Sequence, residues 1–123
     1  MDQNTLTAIA IVAGILILFR LWNRMQRSDN QSVVAALAEG AVVIDVRSPS
    51  EFSSGHYPGA VNIPLDLIGS SVEAVGVEHH HPVVVYCASG MRSASARRIL
   101  QAAGFTRVVN AGSLGNLPAP KRV

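Results

Sequence analysis

The stretch VVVYCASGMRSASARRIL, residues 83–100, decides the fold because it joins an apolar strand to a helix through a short loop. Residues 82–86, PVVVY, form an apolar run with three consecutive β-branched valines, which is typical of a strand buried on both faces of a parallel sheet. After the loop, apolar residues from Ala96 to Ala103 recur at helical spacing, and Gly104 ends that pattern. The sequence therefore predicts a strand, a loop and a helix in direct succession.

Two more runs extend this pattern. Residues 41–46, AVVIDV, have the same strand character, and a third short strand is predicted at residues 107–109. The order strand, helix, strand indicates a βαβ crossover, so we predict an α/β fold with a small parallel sheet flanked by helices. A helix is expected at residues 32–39, capped by a polar link at residues 28–31. Residues 66–81 mix apolar residues with Gly and Ser, and we expect one helical segment and a loop there.

The N-terminal segment is apolar and carries no charged side chain between Asp2 and Arg20. At about 1.5 Å per helical residue, this uncharged run nearly spans a hydrocarbon core of about 30 Å, so we predict one transmembrane helix. A cleaved secretory signal begins with basic residues, whereas this segment begins with an acidic one. The alternatives are a buried core helix and an uncleaved export signal.

The positive charge of the chain lies beside that segment. The net charge of +2 arises where Arg20, Arg24 and Arg27 outnumber one acidic residue, and the rest of the chain has equal numbers of acidic and basic side chains. Because Lys and Arg are retained on the cytoplasmic side of membranes, we predict a single-pass protein with a cytoplasmic C-terminal domain. Residues 1–27 are then the anchor with its basic flank, and residues 28–123 are the domain. Its balanced charge gives no basic surface for nucleic acid.

Cys87 is the only cysteine of the chain, which excludes an intramolecular disulfide and suggests a reducing compartment. It stands at the carboxyl end of a central strand, where open α/β sheets place their ligands. We predict that backbone amides, the helix N-terminus and a positive charge on Arg92 face the sulfur and favour the thiolate. The substrate-binding loop is formed by Ala88, Ser89, Gly90, Met91 and Arg92. The structural alternative is a small apolar residue at a strand end.

A strand, a cysteine, four residues, an arginine and a helix form an anion-binding arrangement with a nucleophile at its centre. Two classes of protein use such a loop. Cysteine phosphatases surround a phosphate with it, and sulfurtransferases surround a sulfane sulfur or a persulfide. The residues of the loop leave both classes open.

Four stretches of the chain together resemble a rhodanese-like domain. They are IDVRSPSEF at residues 44–52, GHYPGAVNIP at 55–64, CASGMRS at 87–93 and VVNAGSLGNL at 108–117. The second is the most specific, since it is similar to the family's Gly-His-x-Pro-Gly-Ala-x-Asn-x-Pro segment. The third matches the Cys-x-x-Gly-x-Arg-Ser loop of the family.

This resemblance implies a sulfurtransferase of the thiosulfate:cyanide type that needs no cofactor. The catalytic residue Cys87 takes sulfane sulfur from thiosulfate or a persulfide donor and passes it to an external thiol or to cyanide. One alternative is a persulfide carrier with little turnover. A cysteine phosphatase is less favoured, because the resemblance implies five residues between Cys and Arg in the loop of related phosphatases. The loop of this chain has four.

Four further residues are expected to support the site. Arg47 and Glu51 are expected to form an ion pair at the exit of the first strand. Asp45, at the buried end of that strand, is expected to support the residues of the site without contacting the substrate. His56 belongs to the Gly-His-x-Pro segment, which forms a scaffold turn in the family, so we expect a structural role.

Two features depart from the family pattern or stand outside it. Ala111 replaces the first Gly of the last motif and Asn116 falls where the family has an aromatic residue, so we expect a packing deficit at this edge. His79, His80 and His81 have no neighbouring Cys or carboxylate pattern. We therefore expect solvated side chains and no metal site.

Overall fold

The computed structural model describes residues 1–24 and 30–119 in full, and the backbone of residues 25–29. Four parallel strands form one sheet in the order β2-β1-β3-β4. The strands are β1 (Val42–Asp45), β2 (Val61–Asn62), β3 (Val83–Cys87) and β4 (Val108–Ser113). The α-helices are α1 (Gln3–Ala38), α2 (Pro49–Ser53), α3 (Leu65–Ile68) and α4 (Met91–Ala102), and two 3-10 helices lie at Val72–Val75 and Leu114–Asn116. The predicted α/β fold with a parallel sheet is confirmed.

All five residues of the central strand β3 are buried. Its side chains alternate between two cores, as the pleat of a strand requires. Val83, Val85 and Cys87 pack on the side of α4, and Val84 and Tyr86 pack on the side of α1. A strand covered on both faces gains apolar burial at every position, at about 1.5–3 kcal/mol for each large aliphatic side chain. This is why β3 reads as an uninterrupted apolar run in the sequence.

Helix α1 runs without a break through the predicted polar link at residues 28–31. The prediction of a separate helix at residues 32–39 is therefore wrong, because extending a helix adds a hydrogen bond for each residue, whereas a new helix requires a costly nucleus. The last turns of α1 belong to the domain, since Val33 and Ala36 are buried against the sheet. The side chains of Ser28 and Asp29, predicted to cap the second helix, lie outside the described residues.

The first part of α1, Gln3–Arg24, is long and apolar enough to cross a membrane, with 22 residues and a mean hydropathy of 2.1. None of its apolar window is buried. This exposure contradicts the alternative of a buried core helix. It does not distinguish an anchor from an export signal, because both have this length and composition. The side chain of Arg27, which belongs to the predicted basic flank, lies outside the described residues.

The structure corrects several element boundaries. Residues 66–81 contain the end of α3 and a 3-10 helix, and β4 continues well beyond the predicted residues 107–109. The two-residue strand β2 and the five-residue helix α2 were not predicted, because neither is long enough to show a periodic pattern. Asn116 is exposed, so the predicted packing deficit does not fall at a buried position.

Candidate active site

The loop that follows β3 folds back over the sulfur of Cys87. The Gly90 N–H donates to Cys87 Sγ with an N–S distance of 2.9 Å. Gly90 has a φ of +94°, and a Cβ at this position would lie 3.3 Å from Cα of Gly112 on the neighbouring strand. Both the left-handed backbone and the close approach favour glycine here. Glycine at position 90 therefore allows the loop to fold closely over the sulfur.

Ser93, in the first turn of α4, is a site residue that we did not single out from the sequence. It is fully buried, and its Oγ lies 3.4 Å from Cys87 Sγ and 3.1 Å from the carbonyl oxygen of Gly90. A thiolate has no proton to donate, so in the ionised pair the Ser93 hydroxyl is the donor, and its one proton is shared between Sγ and the Gly90 carbonyl. The signal was present, since this serine is the last residue of the matched CASGMRS loop.

The surroundings of Cys87 favour the thiolate. Burial raises the pKa of the Cys87 thiol, but hydrogen bonds from the Ser93 hydroxyl and from loop amides outweigh it, so the pKa is lowered overall. The amides are those of Ser93, Gly90 and Ser89. The side chain itself is fully buried, so the sulfur lies beneath the loop. The arrangement supplies a stabilised nucleophile in a polar cradle.

Arg92 does not supply an unpaired positive charge to the loop, which differs from the expectation. Its guanidinium makes a two-point contact with Glu51, with Nη1–Oε1 and Nη2–Oε2 distances of 2.7 and 3.0 Å. Arg92 also lines a cleft of about 530 Å³. The other lining residues are Val46, Ser48, Pro49, Pro64, Leu65, Asp66 and Leu67.

The predicted ion pair between Arg47 and Glu51 is wrong. Arg47 pairs with Asp45 instead, through an Nη2–Oδ2 contact of 2.6 Å and two contacts from Nε at 3.0 Å. Side chains two residues apart on an extended chain point to the same side, which brings this carboxylate to the guanidinium. Glu51 is occupied elsewhere, because it belongs to the capping box of α2 and reaches Arg92.

Asp45 lies at the centre of a buried polar cluster beside the site. Tyr86 donates its hydroxyl proton to Asp45 Oδ2 at 2.7 Å and accepts the Tyr57 N–H at 3.0 Å. Arg47 Nη2 donates to the carbonyl of Gly55 at 2.7 Å. Burial raises the pKa of Tyr86 to about 12, and the same cluster lowers the pKa of Asp45 because bonds from Arg47 and Tyr86 outweigh its burial. The cluster joins the ends of β1 and β3 to residues 55–57.

The histidines lie in different environments. His56 stacks on the ring of Phe52 at 3.6 Å, and its Nδ1 lies 2.8 Å from the Phe52 carbonyl, so its contacts are with α2. His79 is exposed, as expected, although its ring lies 4.8 Å from that of Phe105. His81 is half-buried, with Nε2 3.0 Å from the Gly40 carbonyl, so the expectation of a solvated side chain is wrong for His81. His80 is exposed beside a carboxylate, with its Nε2 3.3 Å from Glu78 Oε2.

Metal ligands are not grouped in the part of the chain that the structure describes. Within these residues, no cluster of three or more His, Cys, Asp or Glu side chains is placed to hold an ion.

Comparison with known proteins identifies the family. Residues 29–113 match the family described as Rhodanese-like domain. The chain belongs to this family. The matched region contains β1 to β4 and the whole Cys87 loop, whereas the apolar part of α1 lies outside it.

Relatives of this rhodanese-like domain include named sulfurtransferases. Thiosulfate sulfurtransferase PspE of Escherichia coli (strain K12) is 38% identical over 78 residues, covering 63% of this chain and 75% of the relative. Thiosulfate sulfurtransferase GlpE of Pseudomonas entomophila (strain L48) is 30% identical over 86 residues, covering 70% and 77%. A solved rhodanese with anions from E. coli aligns with a TM-score of 0.61 and 36% identity, over 65% of this chain and 94% of that one. The chain is thus a rhodanese-like domain with sulfurtransferase homologues.

Proposed function

We propose that this protein is a membrane-anchored sulfurtransferase that carries sulfane sulfur as a persulfide on Cys87. The observation that supports this most directly is the cradle around Sγ, formed by the Gly90 N–H at 2.9 Å and the buried Ser93 hydroxyl at 3.4 Å. The thiosulfate sulfurtransferases among the relatives support the same chemistry.

The proposed reaction is a double displacement. The Cys87 thiolate attacks the outer sulfur of thiosulfate, the S–S bond of the donor breaks, and sulfite leaves with the electron pair. A persulfide anion remains on Cys87 and takes the place of the thiolate in the cradle. A thiophilic acceptor then attacks the outer sulfur of the persulfide and restores the thiolate, so that cyanide becomes thiocyanate.

The acceptor comes from outside the chain. Cys87 is the only cysteine, so no second thiol of this chain can resolve the persulfide. An external thiol serves this role in the cell and cyanide serves it in an assay. The donor is thiosulfate or a persulfide, and no cofactor takes part.

A persulfide carrier is the second candidate function. The complete burial of Cys87 favours it, because a persulfide beneath the loop is shielded from free solvent nucleophiles. A carrier and an enzyme differ in turnover: steady-state formation of thiocyanate from thiosulfate and cyanide indicates the enzyme, and a single round of sulfur transfer indicates the carrier.

The N-terminal part of α1 is proposed to anchor the protein in a membrane, with residues 28–123 in the cytoplasm. The exposed and largely apolar segment Gln3–Arg24, 22 residues long, supports an anchor, and Arg20, Arg24 and Arg27 support this orientation.

The mass of the intact protein tests the central proposal. Thiosulfate should add one sulfur atom, cyanide should remove it, and Cys87→Ser should show neither change, because a hydroxyl does not accept sulfane sulfur under these conditions. Ser95→Ala, a substitution elsewhere on α4, serves as a control that should still gain sulfur. Ready hydrolysis of an aryl phosphate without any gain of sulfur would show that the loop serves phosphatase chemistry instead.

A further inference from the structure

The only side-chain charge within the Cys87 loop is already paired. Arg92 and Glu51 make two contacts of 2.7 and 3.0 Å, although both side chains are more than a third exposed. Two-point contacts of this kind fix the plane of the guanidinium as well as its charge. An anion that binds at this loop therefore meets a cation already engaged by a carboxylate.

Glu51 is held in place from its other side as well. Its Oε1 accepts from the Ser48 N–H at 3.2 Å and from the Ser48 hydroxyl at 3.0 Å, which completes the capping box of α2. The Arg92 hydrogen bond, together with these, lowers the pKa of Glu51 to about 2. The carboxylate is thus charged at neutral pH and remains beside the loop.

The charged side chains beside the Cys87 loop disfavour the binding of a multiply charged anion. Cys87 and Arg92 bound the same short loop, with four residues between them. Glu51 offsets the charge of Arg92, and Asp66 lines the same cleft as Arg92. Once Cys87 is ionised, these four groups carry a net negative charge. A dianion such as thiosulfate is repelled more strongly than a neutral or singly charged donor.

We propose that Glu51 is a specificity-determining residue that disfavours dianionic donors, so that Cys87 takes sulfur faster from a thiol persulfide carrying at most one negative charge than from thiosulfate. This inference rests on the proposed sulfur transfer through Cys87. The thiolate attacks the outer sulfur of R–S–S–H, the donor S–S bond breaks, and R–S⁻ leaves with the electron pair. The proton stays on the transferred sulfur, so Cys–S–S–H and R–S⁻ are the products and no oxidant or reductant is needed.

Glu51→Gln in the full chain tests this charge effect without removing the local fold. Gln completes a capping box as Glu does, so α2 keeps its cap. The two donors are thiosulfate, a dianion, and methanethiosulfonate, a monoanion, with cyanide as the common acceptor. We expect kcat/KM for thiosulfate to rise about three- to fivefold, as for the loss of one exposed charge interaction. The rise for methanethiosulfonate should be smaller, because it carries half the charge.

Glu73→Gln is the matched control, since it removes the same charge from an exposed position in a different groove. It should leave kcat/KM unchanged for both donors. In the unsubstituted protein, higher salt should raise kcat/KM for thiosulfate by screening the repulsion, and this rise should be smaller in Glu51→Gln. If Glu51→Gln is unstable, the salt dependence of kcat/KM in the unsubstituted protein still tests the proposal.

Three outcomes contradict the proposal. They are an unchanged or lower kcat/KM for thiosulfate in Glu51→Gln, an equal rise for both donors, and a fall of the parent rate with salt. If neither donor places sulfur on Cys87 in any version of the protein, the sulfurtransferase function itself is wrong. If only the Glu51 proposal is wrong, the result is different: sulfur still reaches Cys87, but the rate does not depend on donor charge as expected.

Discussion

Cys87 is a buried thiol whose ionised form is stabilised by hydrogen bonds rather than by a free neighbouring cation. Arg92 is paired with Glu51, whereas Gly90 and Ser93 direct an N–H and a hydroxyl at the sulfur. Charge-assisted hydrogen bonds of this type are stronger than neutral ones, and they strengthen further where water is excluded. The reactivity of the site should therefore respond more to Ser93 than to surface charges remote from the loop.

Ser93→Ala tests this dependence. Removing the hydroxyl takes away the side-chain bond that lowers the pKa of Cys87, so that pKa should rise. Less thiolate is then present at neutral pH, and the rate of sulfur loading should fall about tenfold, as for the loss of one hydrogen bond to a charged group. The rate measured against pH should recover at alkaline pH, where the variant ionises.

Ser95→Ala is the control for this measurement. Ser95 is on the same helix, and its hydroxyl accepts from exposed Arg98 at 3.2 Å. Its pH profile should match that of the parent protein. A Ser93→Ala profile with an unshifted midpoint would mean that the loop amides alone stabilise the thiolate.

The pairs of charged residues were only partly predictable from the sequence. The spacing Ser48-x-x-Glu51 before α2 is a local capping signal, and it could have been recognised. The partner of Glu51 is 41 residues away, and so is the tyrosine that donates to Asp45. Such pairings depend on which strand ends lie side by side, and residue spacing along the chain carries no record of this.

Elements with long periodic or apolar patterns were predictable, and short ones were not. The run that became β3 and the helical pattern of α4 were correct because five buried strand residues and three turns of helix leave a clear signal. β2 has two residues, and its parallel pairing with β1 depends on tertiary structure. The position of Cys87 and its loop could be predicted because β3 and α4, on either side of the loop, both have clear sequence patterns.

The junction of β3 and α4 depends on a glycine with left-handed backbone. Gly90→Ala should destabilise the protein by about 1–2 kcal/mol, since a Cβ strains this backbone and meets Gly112 at 3.3 Å. For a domain of this size, each kcal/mol lowers the midpoint of thermal unfolding by about 4–8 °C. Sulfur loading should fall as well, because the Gly90 N–H would shift away from the sulfur.

Gly69→Ala provides the comparison. Gly69 has a φ of −68°, and a Cβ there meets Ile99 at an ordinary 3.7 Å. This substitution should leave stability unchanged or raise it by about 0.4–1 kcal/mol. Equal destabilisation by both substitutions would show that the backbone at Gly90 has no special role.

At the scale of the whole molecule, α1 belongs to both the apolar segment and the domain. Its residues beyond Arg24 continue as helix to Ala38, a length of about 20 Å at 1.5 Å per residue. Val33 and Ala36 in this part pack on the sheet, on the face opposite α4. The domain is therefore attached to the apolar segment through a helix that forms part of its own core, and not through the polar linker that the composition indicated.

The last prediction concerns orientation and the boundary at residue 28. A version of the protein that begins there should be soluble, because it loses the exposed apolar residues of Gln3–Arg24 but keeps Val33 and Ala36 for the core. A reporter fused after Val123 of the full chain should report a cytoplasmic location, since basic residues within about 15–20 positions of a span stay inside.

Replacing Arg20, Arg24 and Arg27 with Gln should weaken this preference and give a mixed reporter signal, because the orienting charges are lost. Replacing Arg97, Arg98 and Lys121 with Gln changes the net charge equally, but these positions are more than 70 residues along the sequence from the span, so the reporter should remain cytoplasmic. A periplasmic signal from the unsubstituted protein would contradict the orientation. An insoluble protein from residue 28 onward would instead show that the domain requires the apolar part of α1.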